Sequence, residues 1–598
     1  MTGTPHSFPP QSHAEPFLQL PVPPGTFQQV RSILARMHGW PGRRILLGLV
    51  IGLVGVIVGN MGGQIWLTSW QGDFYNAIEK HDASAFFYNA LRYLYIAGTL
   101  LSMIVFQTWF TEIIKIRLRS FLTEGLLDDW LKPKRAYLLN FAGEIGANPD
   151  QRIHEDARHL AELTADLGAS LLQAGLLLIA FIGVLWILSS SVSLPIAGYQ
   201  VVIPGYMVWC ALLFAAAGST LTLIVGRPMV EDNANRYARE AEMRFSLVRV
   251  AESAEGITLY GGEADEKRVI NLVFGGVTDA MRRLANDLAR LTWVTSGYGW
   301  LALLVPTVVA APGYFTGSLT LGGLMMVVNS FNQVQSSLRW FVDNFSRLAD
   351  WRATLKRVEG LREALNALDR PNGVRGHIDL VEDEPNRLVF KDFELTLPDG
   401  KAEFADAAAV EAGERVQVTG EIAAGKSTLL LALAGLWSRG RGSIHRPHRD
   451  DMMFLSERPY FPLGSLASAL AYPEPAMRYP REAYEHALLA VGMKRMAANL
   501  GDIERWDKRL GLDDQQVLAF ARLILHRPPW VVMDDAMSAL SPDHRRRIFA
   551  ALKRLDNLTV VSLTREEEAH AFFDRQIHLQ RSAGRGVRRG RPRKLMTQ

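Results

Sequence analysis

The sequence predicts an all-α membrane domain of six transmembrane helices followed by an α/β P-loop nucleotide-binding domain. Three observations predict it. Apolar residues, 48% of this 598-residue chain, are concentrated before about residue 345. Several uninterrupted apolar runs there reach the roughly twenty residues that a helix needs to cross a bilayer. Behind them a strand, a small-residue loop and a helix follow one another with the spacing of a phosphate-binding loop.

The apolar runs are Arg44 to Trp66, Phe86 to Ile114, Leu167 to Ser189, Val201 to Val225, Trp293 to Ala311 and Leu321 to Val342. Arg31, Arg36, Arg43 and Arg44 precede the first, whereas Asp73, Glu79 and Asp82 follow it. Positive charge stays on the cytoplasmic side, so both ends are expected inside. The connectors Lys115 to Asp166 and Arg227 to Arg290 are long and charged, while Ser190 to Gln200 and Pro312 to Thr320 are short and carry no charge. The long pair has helical apolar spacing and is expected to extend the spans as cytoplasmic helices.

Polar groups in hydrocarbon are costly unless paired or facing water. Glu112 stands one turn before Lys115, and Asn329, Asn332, Gln333 and Gln335 fall in the sixth span. Two readings of the last four stay open: a water-lined translocation path, or hydrogen bonds between helices.

A Pro-Asn-Gly turn after Arg370 opens a segment of alternating, strand-like runs such as RLVFKDFELTL, which sets the domain boundary there. The expected division is an N-terminal cytoplasmic segment 1–40, a transmembrane domain 41–370, a nucleotide-binding domain 371–580 and a basic tail 581–598. In the third part the run ERVQVTG reads as a strand, followed by GEIAAGKST and an apolar helix. Gly420, Glu421, Ile422, Ala423, Ala424, Gly425, Lys426, Ser427 and Thr428 are the candidate phosphate-binding residues. Small residues let backbone N–H groups close around phosphate oxygens, and the helix N-terminus adds partial positive charge. Lys426 would reach the β- and γ-phosphates of ATP, and the Ser427 hydroxyl would hold Mg2+. Downstream, RPPWVVMDDAMSAL reads as an apolar strand ending in Asp534 and Asp535. Asp534 is the second candidate for Mg2+.

Phosphate loop, QQVLAFARLILHRPPW and VVMDDAMSAL in that order resemble the nucleotide-binding domain of ATP-binding-cassette (ABC) transporters. The stretches WQGDFYNAI, ANPDQRIHEDA, SAEGITLYGGEADE and YFTGSLTLGGLM resemble one branch of that family. It contains bacterial half-transporters related to the SbmA/BacA peptide transporters and the peroxisomal fatty-acyl half-transporters. The resemblance implies an exporter-like fold and a homodimer, or a heterodimer with another half-transporter. In such a dimer each ATP lies between the phosphate loop of one subunit and the signature motif of the other.

Against the family pattern several positions depart. The signature reads Leu510, Gly511, Leu512, Asp513, Asp514, Gln515, with glycine for the usual serine and Asp513 for the glycine that approaches the γ-phosphate. Asp535 stands where the catalytic glutamate is usual, and Arg565 replaces the switch histidine. Glu457 replaces the Q-loop glutamine, and Ser541 the D-loop aspartate. Leu397 lies near the position of an adenine-stacking ring. Asp535 and Arg565 are therefore the catalytic candidates and Glu457 a nucleotide-contacting one, in a cassette expected to hydrolyse weakly or not at all.

Net charge is +4, too small for this length to indicate a nucleic-acid partner. The single cysteine, Cys210, excludes an intrachain disulfide. No cleavable secretion signal is evident in the first forty residues, so a multi-pass protein of a bacterial inner membrane is expected. The tail RSAGRGVRRGRPRKLMTQ is basic and poor in apolar residues, which suits contact with anionic membrane lipid or an idle solvated tail. Three functions fit: ATP-driven transport of a peptide-, cofactor- or fatty-acyl-like substrate, transport driven by an ion gradient, and a nucleotide-binding regulatory subunit.

Overall fold

The computed structural model describes residues 25–582, apart from 143–147, 191, 193, 197–198, 202, 369–376, 385, 398–399, 405–407, 422 and 565–571. Two compact units divide the chain. One comprises Leu20–Arg135 and Ala142–Ala367, the other Ala136–Phe141 and the chain from Leu368. The expected boundary at 370 falls outside the described residues, as do the segment before residue 25 and the tail beyond Ser582.

The first unit is helical. It runs through α1 (Thr26–Met37), α2 (Arg43–Glu79), α3 (Ala83–Trp130), α4 (Ala157–Ser190), α5 (Tyr206–Glu252), α6 (Glu263–Phe315), α7 (Leu321–Asp343) and α8 (Phe345–Ala367). Among the described residues five helices are long and apolar enough to cross a membrane: α2, α3, α4 with the turn before it, α5 and α6. The sixth expected span exists as α7, but it is not among the five. Asn329, Asn332, Gln333 and Gln335 dilute its apolar character, and it lies inside the bundle against α2, α4, α5 and α6. Asn329 donates to the Thr68 hydroxyl at 2.8 Å and Gln335 is buried. Helix pairing thus accounts for Asn329.

Of the charged connectors, the second is largely helical, while the first is helical at both ends, where α3 runs on to Trp130 and α4 begins at Ala157. At 47 residues α5 is about 70 Å long at 1.5 Å per residue, against a hydrocarbon core of about 30 Å. Its chain turns back at Ala254–Tyr260 and Gly261 into α6. Gly261 adopts φ +63°, a left-handed conformation that glycine takes without steric cost.

Two of the stretches that carry the family resemblance meet at the start of α7. Orphan N–H groups at a helix N-terminus must be satisfied locally where water is absent. Leu321 N–H donates to Glu79 Oε2 at 3.0 Å, Gly322 N–H to Asn76 Oδ1 at 3.0 Å and Gly323 N–H to its own cap, Thr320, at 3.1 Å. Gly322 lies against the backbone of Gly72, a crossing open only to residues without a side chain.

Ion pairs lace α8 to its neighbours. Arg347 meets Asp166 at 3.0 Å, and Asp166 also holds Lys115 at 2.8 Å. Lys115 pairs in turn with Glu112 at 2.7 Å, one helical turn away. Arg357 grips Asp156 through two nitrogens. Buried Glu359 accepts from Arg36 of α1 at 2.6 Å and from Arg362 at 3.0 Å.

The second unit holds a ten-stranded sheet: β1 (Asp379–Val381), β2 (Arg387–Leu397), β3 (Gly400–Phe404), β4 (Ala409–Glu411), β5 (Arg415–Thr419), β6 (Gly440–His445), β7 (Met452–Leu455), β8 (Trp530–Asp534), β9 (Thr559–Leu563) and β10 (Arg575–Ser582). Their order is β1-β6-β2-β3-β10-β5-β9-β8-β7, with β4 on β2. The run from β10 to β7 is parallel. Both faces of β8 are covered, as its unbroken apolar sequence requires. Trp530 and Val532 enter one core, Val531 and Met533 the other.

Candidate nucleotide-binding site

Strand β5 delivers the chain to Gly420, and the helix α9 (Lys426–Leu433) carries it away. A Cβ at Gly420 would come within 2.5 Å of the Leu579 carbonyl oxygen. Gly425 turns the chain into the helix at φ +95°, where a Cβ would stand 2.9 Å from Leu397. Ala423 is also left-handed, at φ +64°. Ala424 N–H closes the loop on the Glu421 carbonyl at 3.0 Å. The ammonium of buried Lys426 donates to the carbonyl oxygens of Gly420 at 2.6 Å and Glu421 at 3.0 Å, across the loop. Ser427, in the first helical turn, is exposed, and Thr428 is half-buried. Ile422 lies outside the described residues.

Sheet register sets the acidic pair beside this loop. Leu563 of β9 pairs with Val418 on one side and with Asp534 on the other, so β5 and β8 end on one level. The carboxyl edge of a parallel sheet is where such folds bind ligands. Asp534 is buried at the strand end. Asp535 is left-handed at φ +44°, its N–H donating to the Leu563 carbonyl at 2.9 Å. Arg565 lies outside the described residues.

Glu457 comes to this edge through its backbone. Its carbonyl oxygen accepts from the side-chain amide of Gln516 at 2.9 Å. Gln516 is buried in the helix α10 (Leu512–His526) and also reaches the Ser538 hydroxyl at 3.2 Å. Its Oε1 accepts from Ala539 N–H at 3.0 Å. Gln516 therefore joins the segment after β7, the signature helix and the segment after β8. Sequence reasoning passed it over; the signal was the second glutamine of a Gln-Gln pair.

Two departures acquire local explanations. Ser541 caps the helix α11 (Pro542–Lys553), its hydroxyl accepting from His544 N–H at 3.3 Å, with Pro542 next in line. Gly511 precedes α10, and a Cβ on it would stand 2.6 Å from Asp513 Oδ1. Burial, then the neighbouring charge of Asp513, lifts the Asp514 carboxyl above the usual carboxylate range, with His544 pulling the other way.

Residues 43–315 match the family model described as ABC transporter transmembrane region 2, and residues 407–538 the one described as ABC transporter. The chain is 27% identical to the inner membrane ABC transporter ATP-binding protein YddA of Escherichia coli over 87% of its length and 91% of that protein. With the chloroplastic ABC transporter D family member 2 of Arabidopsis thaliana it shares 25% over 85% and 79%. A bacterial Atm1-family ABC exporter solved with ATP bound superposes with a TM-score of 0.67 at 17% identity, covering 90% of this chain and 95% of that one. One polypeptide joins the transmembrane region to the ATP-binding domain, and the chain is an ABC half-transporter.

Proposed function

We propose that this chain works as a dimer, with itself or with another half-transporter, and moves a peptide-, cofactor- or fatty-acyl-like substrate across a bacterial inner membrane. Both termini lie on the cytoplasmic side, and ATP is bound firmly but hydrolysed weakly. The observation that carries the reading is Lys426, whose ammonium is held across the Gly420–Glu421 turn at the head of α9. An ammonium, a helix N-terminus and backbone amides together suit a polyphosphate. The gathering of relatives named as ABC transporter D family members of Arabidopsis and Dictyostelium supports the transport role.

Among the described residues no group of three or more His, Cys, Asp or Glu side chains is placed to hold a metal ion. Ser427 and Asp534 offer one hydroxyl and one carboxylate, a donor set that fits Mg2+ taking its remaining oxygens from phosphate and water. Mg2+ would neutralise charge on the phosphates. Lys426 orients the terminal phosphates. Asp535, one methylene shorter than glutamate, polarises water from further off, and a misplacement of about 1 Å costs roughly a hundredfold.

Binding and turnover of ATP by the full chain in lipid nanodiscs test this reading. Micromolar binding that Lys426→Ala reduces, together with turnover far below the about 10 s⁻¹ of a median enzyme, is the expected result. Equal ATP binding by parent and Lys426→Ala, or turnover at tens per second, overturns it.

A further inference from the structure

We propose that the first membrane helix and the N-terminal helix hold one anionic phospholipid, with an acyl chain in an apolar cleft and the headgroup on Arg43. A cleft of about 770 Å3 runs among α1, α2, α3, α4 and α8. Sites for small ligands span about 300–1,000 Å3. Leu53, Ile114 and Ala165 form its buried floor, whereas Leu47, Val50 and Val54 leave its rim exposed. Those rim residues belong to a helix long and apolar enough to cross the membrane, so the mouth opens toward lipid.

The chemistry inside selects hydrocarbon. Thr164, a polar residue among the walls, has its hydroxyl engaged on both sides: it donates to the Leu160 carbonyl at 2.6 Å and accepts from Trp351 Nε1 at 2.9 Å. The walls therefore offer a chain of CH2 groups contact without an unmet polar group.

The chemistry at the mouth selects an anion. Arg43, the first residue of α2, lines the cleft and is exposed. It donates to the His38 carbonyl at 2.9 Å, and among the described residues no carboxylate pairs with it. Arg44 beside it is exposed as well. Trp40 sits at the same level, edge-on to Phe121 at 5.5 Å, with its indole N–H 3.3 Å from Glu124. Tryptophan and arginine at a span's start mark the headgroup layer. One molecule with a fatty tail and a negative head meets both requirements at once.

The test uses the full chain in nanodiscs of phosphatidylcholine and phosphatidylglycerol, doped with phosphatidylglycerol that carries a photoactivatable group at the end of an acyl chain. Cross-linked peptides are mapped after illumination. The expected result is labelling concentrated on residues 114–122 and 160–172 and reduced about tenfold by Ala165→Trp or by Leu53→Trp. Arg43→Glu is expected to abolish the preference for phosphatidylglycerol over an equally labelled phosphatidylcholine while ATP binding is unchanged. Either tryptophan variant alone suffices if the other fails to fold. Labelling spread evenly around the lipid-facing surface, labelling untouched by the filling variants, or displacement by free fatty acid but not by phosphatidylglycerol overturns the proposal.

Discussion

The side-chain amide of Gln516 donates to the carbonyl oxygen of Glu457 at 2.9 Å, binding the first turn of the signature helix to the segment that follows β7. The same side chain accepts from Ala539 N–H at 3.0 Å. One buried amide thus serves two loops at the edge where Asp534 stands. Gln516→Ala leaves those backbone groups unmet, and an unmet buried polar group costs about 1–3 kcal/mol. Gln516→Glu keeps the acceptor for Ala539 but loses the donor to Glu457. Thermal melts of the purified chain should rank parent above both variants, and nucleotide affinity should fall with them. Melting and affinity equal to the parent in Gln516→Ala would show that the amide organises nothing.

Much of this arrangement was legible in the sequence, for a physical reason that differs between the halves. Long apolar runs have one stable outcome in a bilayer, so the positions of α2 to α6 followed from composition alone. The sixth span followed in position but not in character. Asn329 is matched by Thr68 and Gln335 is buried inside the bundle, and Thr68 is remote in the chain. The phosphate loop was legible because glycine spacing dictates a local turn. Gln516 was not, since its three partners come from segments separated from it by up to 59 residues. Ser541 looked like a loss, and only the geometry shows it capping a helix.

Among the described glycines of the membrane unit, Gly322 leaves the least room for a side chain. A Cβ there would meet the Gly72 carbonyl and would stand 2.6 Å from Asn76 Oδ1, the atom that caps the same residue's N–H. Forcing extra atoms into such a crossing costs about 1–3 kcal/mol. Gly322→Ala should therefore lower the melting temperature in detergent. Gly323→Ala, whose nearest neighbour would lie at 3.4 Å, should melt like the parent. Equal melting of the two variants would contradict this packing.

Glu359 is 2% exposed and neutralises Arg36 and Arg362 together. Burial, and next the nearby charge of Arg36, already holds the Arg362 guanidinium below its ordinary range. Glu359→Ala leaves two cations facing each other, with Asp129 3.5 Å from Arg362 and Glu363 near Arg36. Removing one partner of a buried ion pair costs about 3–5 kcal/mol. Glu359→Met combined with Arg362→Met should recover most of that loss, and a double-mutant cycle on denaturant midpoints measures the coupling. Additive losses would mean that the pair does not interact.

The raised Asp514 carboxyl gives a pH signature. Its folded value lies above the unfolded one, so folding favours the protonated form. Stability from this group is complete at acid pH, below the unfolded value, and is lost as pH rises through the folded value. At neutral pH the charged side chain therefore weighs against the fold. Asp514→Asn should melt above the parent at neutral pH, with the gap closing as pH falls into the carboxylate range. A gap independent of pH would remove the electrostatic cause.

The carboxylate of Asp513 and the glycine at 511 are neighbours at the head of α10. If the dimer closes as proposed, Asp513 approaches the γ-phosphate, and two like charges about 4 Å apart repel by about 4 kcal/mol at an effective dielectric of 20. Asp513→Gly removes that repulsion and is expected to raise ATP turnover in nanodiscs about tenfold. Gly511→Ser alone should change turnover little: the new Cβ would stand 2.6 Å from Asp513 Oδ1, the end of an exposed side chain that can swing aside, but the repelling charge of Asp513 stays. In the Asp513→Gly background the charge is gone and the serine hydroxyl can meet phosphate, so the double variant should exceed the single one. Adding Asp535→Glu restores the longer reach and is expected to contribute about a further hundredfold. If Gly511→Ser is equally silent in both backgrounds, the serine hydroxyl does not meet the phosphate. If Asp513→Gly leaves turnover unchanged while Asp535→Glu raises it, the weak step is water activation and not closure of the dimer.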